Sequence, residues 1–562
     1  MSSETHSWQD LCKARRRVQA ESIPKDWLID LPPTDLRDVR DVPRACGLLS
    51  PRELEITETT DTDLLLLNLR TAVWSSVEVT TAFYKRAIVA QQLTNCLTEI
   101  FVDRALARAK EVDDYLKATG RPIGALHGLP ISLKDQFPIK GLETIMGYAG
   151  WIGRYADSDC VLVEILYEQG AVPFVRTNVP QTLVWGETSN HVFGRTTNPY
   201  NRYMTPGGSS GGEGALVAIH GSPLGVGTDI GGSVRIPASF CGLYGLRPSY
   251  ERLPYAKAVN VAPGQESISS VLGPLSPSLA GVRVFTQAVL ATRPWRRDPL
   301  AVRKPWAWDE YALAEHGAGG RMCFAVMWDN GMVKPHPPVR RAMEIVKTAL
   351  EAAGHTVIDW ENHRHLEFYE VTERIFAADD AQDYLAACAL SGEPLIQTMS
   401  PDTDAHEYAL DEPFARTIVA SAGTSLWQLH ARKRDLRKSH LDHWEATVAR
   451  TGTGRPVDAI ISPVAPYTAC PHGCNSDAFY TTLTNTLDYT TSCFPVTYAD
   501  AELDMAEPPH EFFNHEDEAV YKLYDPQLFH GLPVGLQLIG RTLEEEGVIA
   551  MTEVVDKALK TM

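Results

Sequence analysis

Three serines and one lysine carry the residue types that acyl-transfer chemistry needs. Thr205-Pro206-Gly207-Gly208-Ser209-Ser210-Gly211-Gly212-Glu213-Gly214 sets two adjacent serines in a nest of glycines. Gly225-Val226-Gly227-Thr228-Asp229-Ile230-Gly231-Gly232-Ser233-Val234-Arg235-Ile236-Pro237 sets a third serine behind a second glycine run. Upstream, Gly128-Leu129-Pro130-Ile131-Ser132-Leu133-Lys134-Asp135 carries a lysine. Acyl transfer needs a nucleophile and, beside it, backbone donors aimed at the developing oxyanion. Ile230-Gly231-Gly232-Ser233 can offer such donors, because small residues let successive N–H groups converge. A lysine buried among polar groups without a firm carboxylate partner loses its charge more easily. Its neutral amine can then take a proton from a hydroxyl and return it to a leaving nitrogen. Ser–Ser–Lys chemistry is therefore open to this chain without a histidine.

The Thr205–Gly214 stretch has competing readings. A flexible linker would stay polar, whereas Glu213-Gly214-Ala215-Leu216-Val217-Ala218-Ile219 turns apolar and helix-permissive at once. A phosphate loop needs a lysine and a hydroxyl after its glycines, and here Glu213 would repel phosphate. Gly207-Gly208-Ser209-Ser210-Gly211 also fits the G-x-S-x-G elbow, which requires a downstream acid and histidine. With 17 histidines in the chain, the pattern alone leaves that reading open.

The surrounding elements must hold these residues. Leu129, Ile131 and Leu133 alternate with Ser132 and Lys134, which predicts a strand with Lys134 opposite the apolar side chains. Ala105, Leu106, Ala109, Val112 and Leu116 recur at helical spacing, and Gly120 follows as a stop. Asp157-Ser158-Asp159 can cap a helix running to about Gln169, and Ala171–Val175 reads as the next strand. Met322–Met327, Val339–Ala353 and His355–Trp360 repeat the strand–helix–strand order of an α/β layered fold. Residues 250–320, rich in Pro and turn signals, are expected to wrap the core. The expected organisation is a helical N-terminal extension over 1–95, packed on one large catalytic domain over 96–562.

Composition narrows the partners. The 562 residues are 44% hydrophobic and 22% charged, with a net charge of −19. That balance counts against nucleic acid, whose binders display basic patches. Arg15-Arg16-Arg17 and Arg432–Lys438 are short basic runs with acidic neighbours and read as solvated helix faces. Ten scattered cysteines make no disulfide framework. The first ten residues are polar, and Leu64-Leu65-Leu66-Leu67 is far too short to span a bilayer. The expectation is a reduced, cytoplasmic protein with no stable membrane anchor. Cys470-Pro471-His472-Gly473-Cys474 packs soft ligands closely but lacks a second pair, so a zinc site is not expected. Cys241 is expected to pack as a small hydrophobe.

Taken together, the segments around Lys134, Thr196–Asn201, Pro206–Gly214, Gly227–Pro237, Phe240–Pro248 and Gly531–Arg541 resemble the amidase signature family. Ser209 follows Lys134 by 75 residues and Ser233 follows Ser209 by 24, as the family spaces its Ser–Ser–Lys triad. Arg252–Lys257 and Gly264-Gln265-Glu266 look most like the fungal acetamidase and general amidase branch. Glu213-Gly214 and Thr228-Asp229-Ile230 are shared with fatty acid amide hydrolases. The resemblance implies a single large α/β domain with a central mixed, mostly parallel twisted sheet wrapped by helices. It implies Ser233 as nucleophile, Ser209 as a bridge held by a cis peptide, and Lys134 as base. Ile230, Gly231, Gly232 and Ser233 would form the oxyanion hole, with Ser210, Thr228, Asp229 and Arg235 in support. Met146, Gly147, Leu183 and Trp185, with parts of 370–490, are the candidate pocket walls. The implied activity is hydrolysis of linear carboxylic amides, small aliphatic or aryl ones first, with no cofactor or metal. The family admits a homodimer. A fatty acid amide hydrolase-like enzyme, a carbamate- or ester-cleaving one, and the transamidating subunit of a tRNA-dependent amidotransferase are the alternatives. The acidic charge and the acetamidase-like flanks argue against the last.

Overall fold

The strand that ends in Lys134 lies in the interior of a wide sheet. The computed structural model describes residues 7–400, 423–475 and 479–561. Eleven strands are β1 (Leu97–Ile100), β2 (Pro130–Lys134), β3 (Val172–Thr177), β4 (Gly225–Asp229), β5 (Tyr244–Arg247), β6 (Val271–Ser276), β7 (Cys323–Val326), β8 (Thr356–Asp359), β9 (Ala459–Pro463), β10 (Thr491–Tyr498) and β11 (Pro533–Ile539). Among the described residues they form one sheet in the order β1-β3-β2-β4-β6-β5-β10-β11-β9-β7-β8. β2 runs parallel to both of its neighbours, β3 and β4. All five of its residues are buried, as expected for a strand covered on both faces.

The expected mixed sheet wrapped by helices is what forms. The expectation that it is mostly parallel fails. Only β2–β3, β2–β4, β7–β8 and β7–β9 are parallel, and the other six ladders are antiparallel. The strand–helix–strand units legible in the sequence are the parallel ones. Between them β4, β6, β5, β10, β11 and β9 run against one another, joined by long segments whose pairing no local pattern records.

Helices cover both faces. The helix Val102–Thr119 buries Ala105, Ala109 and Val112 and ends at Gly120 in the left-handed region (φ 65°), where glycine has no Cβ penalty. The helix Pro337–Ala352 buries Val339, Ala342, Met343, Val346, Ala349 and Leu350, a stripe at helical spacing. The helix expected after Asp157 starts later, at Val161. On one face Leu65, Leu69, Val79, Phe83 and Ala87 of N-terminal helices share a continuous apolar cluster with Ile131, Leu133, Val172 and Phe174. On the other end Met343, Val346, Val548 and Met551 pack against β7, β9 and β11. Arg15, read as part of a solvated face, is instead buried. It pairs with Glu143 at 2.7 Å and Glu99 at 2.9 Å and so fastens the helix Trp8–Glu21 to the core.

The helix Gly211–Ala218, which begins directly after Ser209-Ser210, sits tightly against the end of β3. A Cβ on Gly212 would lie 2.4 Å from Asn178 N and 2.7 Å from Cys96 O, both backbone atoms that have no room to yield. Gly212→Ala is therefore expected to destabilise the protein by about 1–3 kcal/mol and to lower its urea midpoint. A midpoint equal to the parent's would contradict the close approach.

Candidate active site

Alternation along β2 sends Ser132 and Lys134 to the same side, toward the start of the helix Gly211–Ala218. Lys134 is fully buried. Its Nζ donates to Ser209 Oγ at 2.8 Å and to Thr228 Oγ1 at 2.7 Å. Among the described residues no carboxylate stands within ion-pair distance of it. Burial pushes the amine down to about 7, against the opposing pull of Asp229 and Glu213 farther off. Glu213 lies beneath, accepting from Ser132 Oγ at 2.5 Å and Thr177 Oγ1 at 2.8 Å. Burial pushes its carboxyl up to about 8, with those two hydroxyls and Lys134 acting the other way.

The Gly208–Ser209 peptide is cis. Its loop is packed so closely that a Cβ on Gly208 would lie 2.4 Å from Glu187 O. The Ser210 N–H donates to Ser233 O at 3.2 Å, which ties the first serine loop to the second. Ser210 Oγ bridges to the Thr228 backbone, 3.3 Å from both its N and its O.

The second loop is held from below by an ion pair. Asp229, at the end of β4, meets Arg235 through two contacts of 3.0 Å, both groups fully buried. Arg235 also donates to Thr484 Oγ1, Asn485 Oδ1 and Gln537 Oε1. Burial by itself would raise the Asp229 carboxyl, but Arg235 and Asn485 overturn that and hold it well below the usual carboxylate range. Asp229 further accepts from Gly232 N at 2.9 Å and Val234 N at 3.2 Å. The carboxylate thus shapes the turn that presents Ser233.

This bond changes one expectation. The Gly232 N–H points at Asp229, so it does not join the others as a free donor. The N–H groups of Ile230, Gly231 and Ser233 have no protein acceptor among the described residues. Ser209, Thr228, Ile230 and Ser233 all line one cavity of about 350 Å³. Its apolar wall includes Leu183, Val261, Ile375, Phe376 and Leu426.

Of the expected pocket residues, Leu183 lines this cavity and Met146, Gly147 and Trp185 do not. Met146 is wholly buried in a neighbouring apolar cluster, and a Cβ on Gly147 would press on Asn190. Ile375, Phe376 and Leu426 do fall in the broad 370–490 span. Gln136 is a lining residue that the sequence reading missed. The signal was present, since it follows Lys134 by two positions. Asn260 and Asn485 gave no local sign, because they arrive from distant segments, whereas Gln537 lies in the Gly531–Arg541 segment that carries the resemblance. The Cys470–Cys474 loop has another job: Gly473 N and Asn475 N donate to the buried Glu187 carboxylate. Cys241 is fully buried, and burial pushes its thiol pKa up, consistent with packing as a small hydrophobe.

The family model described as Amidase matches residues 78–549. The chain belongs to the amidase signature family. It is 42% identical to the acetamidase of Emericella nidulans over 554 residues, 98% of each chain. It is also 42% identical to the acetamidase of Aspergillus oryzae, over 98% of this chain and 99% of that one. A solved structure of a fatty acid amide hydrolase superposes with a TM-score of 0.89 at 31% identity, covering 99% of this chain and 97% of the other. As an amidase-family member it is a C–N hydrolase acting on amides.

Asp229→Ala leaves the buried Arg235 guanidinium without its counter-charge, which is expected to cost about 3–5 kcal/mol. Equilibrium urea unfolding, with near-ultraviolet circular dichroism as the probe, measures it. A loss under about 1 kcal/mol would show that the pair is not the anchor of the loop.

Proposed function

We propose that the chain hydrolyses small carboxylic acid amides to the acid plus ammonia or amine through an acyl-enzyme on Ser233. The observation that carries this reading is the Lys134 amine bonded to Ser209 with no carboxylate partner among the described residues. An amine so placed is neutral in part near pH 7 and has a hydroxyl within proton-transfer reach. Ser233 attacks the amide carbonyl while its proton passes to Ser209, and the Ser209 proton passes to Lys134. The N–H groups of Ile230, Gly231 and Ser233 receive the oxyanion. Lys134 then returns a proton through Ser209 to the leaving nitrogen, so the C–N bond breaks without expelling an amide anion. Water attacks the ester in the reverse sense and frees the acid and Ser233. Ser210, Thr228, Asp229 and Arg235 position these groups and do not exchange protons with substrate.

Two observations favour small aliphatic or aryl acyl groups. The acetamidases are 42% identical over nearly the whole chain. The cavity of about 350 Å³, walled by Leu183, Val261, Ile375 and Phe376, holds a ring or a short branched chain. The likeness to a fatty acid amide hydrolase keeps a longer acyl chain as the second reading. A panel from acetamide through benzamide to long-chain amides, with matched esters and carbamates, decides between them by kcat/KM.

Ser233→Ala and Lys134→Ala are each expected to lower kcat by at least about a thousandfold with the fold retained. Peptide-level tandem mass spectrometry after digestion of the protein treated with an acylating inhibitor should find the adduct on Ser233. An adduct on Ser209, or a fully active Ser233→Ala enzyme, would overturn the assignment. Lys134 must be deprotonated to act, so kcat/KM is expected to rise with pH through about 7 and to fall away below it. A flat profile across that range, with chemistry rate-limiting, would refute the role of the lysine.

A further inference from the structure

A neutral primary amine has two N–H bonds to give and one lone pair. Lys134 Nζ has two hydroxyl neighbours in reach, Ser209 Oγ and Thr228 Oγ1. Either hydroxyl could in principle offer its proton to the lone pair. Only Ser209 leads to Ser233, so a proton offered by Thr228 would occupy the base without result.

The structure fixes which way Thr228 faces. Its Oγ1 donates to Gln136 Oε1 at 2.6 Å. A hydroxyl has a single proton, so toward Lys134 the Thr228 oxygen can only accept. That holds as long as the Gln136 amide presents its oxygen and not its nitrogen. Its orientation is determined at the other end. Nε2 stands 2.8 Å from Val259 O, a carbonyl that only accepts, and 2.8 Å from Asn260 Oδ1. Asn260 Oδ1 is itself an acceptor for the Tyr255 hydroxyl at 3.1 Å. The main chain clamps the same residue, with Val259 N donating to Gln136 O at 3.0 Å. A flipped amide would set an oxygen against the Val259 carbonyl and an N–H against nothing that accepts it better. The direction of every bond from Val259 to Lys134 therefore follows from one main-chain carbonyl.

We propose that Gln136 is a positioning residue for the reaction: by taking the Thr228 proton it makes Thr228 an acceptor only, and so reserves the Lys134 lone pair for the proton of Ser209. This rests on Lys134 being the base and deepens that reading. Gln136 borders the cavity, but its part in the chemistry runs through Thr228.

Gln136→Leu and Gln136→Met remove the acceptor while roughly keeping the side-chain volume. The freed Thr228 proton can then turn to Lys134 and compete with Ser209, with the Tyr255 hydroxyl as its other neighbour. The expected result is a fall in kcat of about ten- to a hundredfold, with KM within about threefold. The acid limb of the pH profile should move to lower pH, because a hydrogen bond donated to the lone pair favours the neutral amine. In a Thr228→Val background there is no hydroxyl to misdirect, so adding Gln136→Leu should lower kcat by less than about twofold. Thermal melting of each variant separates chemistry from folding. An equal loss in both backgrounds, an acid limb that stays put or moves up, or full activity of both Gln136 variants would overturn the proposal. If Thr228→Val is too slow to assay, the direction of the limb in Gln136→Leu alone decides. Activity in Ser233→Ala would instead refute the underlying triad, whatever Gln136 does.

Discussion

A lysine amine kept out of water and, among the described residues, given no carboxylate partner is the constraint around which the site is arranged. In water the amine would hold its proton far above neutrality. Here β2 carries it into the interior, and the groups that meet it are hydroxyls. Of the two, Ser209 can satisfy the amine in either protonation state, because its hydroxyl can give or accept, while Thr228, bonded to Gln136, accepts only. A carboxylate at the same distance would favour the charged form and remove the base. The nearest acids are both accounted for: Asp229 is committed to Arg235, and Glu213 is wrapped by Ser132 and Thr177.

The second requirement is a rigid turn under Ser233. A glycine-rich loop has many conformations in the unfolded chain, and fixing it opposes folding. The Asp229 carboxylate offsets that by accepting two loop N–H groups while Arg235 neutralises it. Arg235 in turn reaches Thr484, Asn485 and Gln537, so the loop is tied to segments hundreds of residues away. A buried pair is not by itself a source of stability. Its value here is geometric, since it fixes the turn in which the Ile230, Gly231 and Ser233 N–H groups have no protein acceptor among the described residues.

Much of this was legible in the chain and some was not. The Lys134 strand, the two serine–glycine loops and the parallel strand–helix–strand units all carry short-range patterns, and they appear where those patterns put them. The antiparallel middle of the sheet left no such trace, because β5, β6, β10 and β11 pair across long separations. The same holds for the cavity wall. Met146 and Trp185 are close in sequence to site residues yet are not among the residues that line the cavity, while Phe376 and Leu426 come from remote helices. Gly232 shows a third kind of limit. Its place in the donor series follows from spacing, but the direction of its N–H depends on the Asp229 carboxylate.

The origin of that cavity wall has an evolutionary consequence. The proposed reacting groups sit on β2, β4 and the loops that lead into two buried helices. Ile375 and Phe376 belong to the helix His365–Phe376, and Tyr384 to the helix Gln382–Ala389; both lie apart from those strands in sequence. The proposed machinery and this part of the wall therefore stand on different segments of the chain. Substitutions at Ile375 or Phe376 can retune which group fits while leaving the hydrogen bonds around Lys134 in place, which substitutions at the lining residues Gln136 or Asn260 cannot. One scaffold can in this way radiate into many substrate ranges, and grafting wall segments between relatives is a natural route to new amidases.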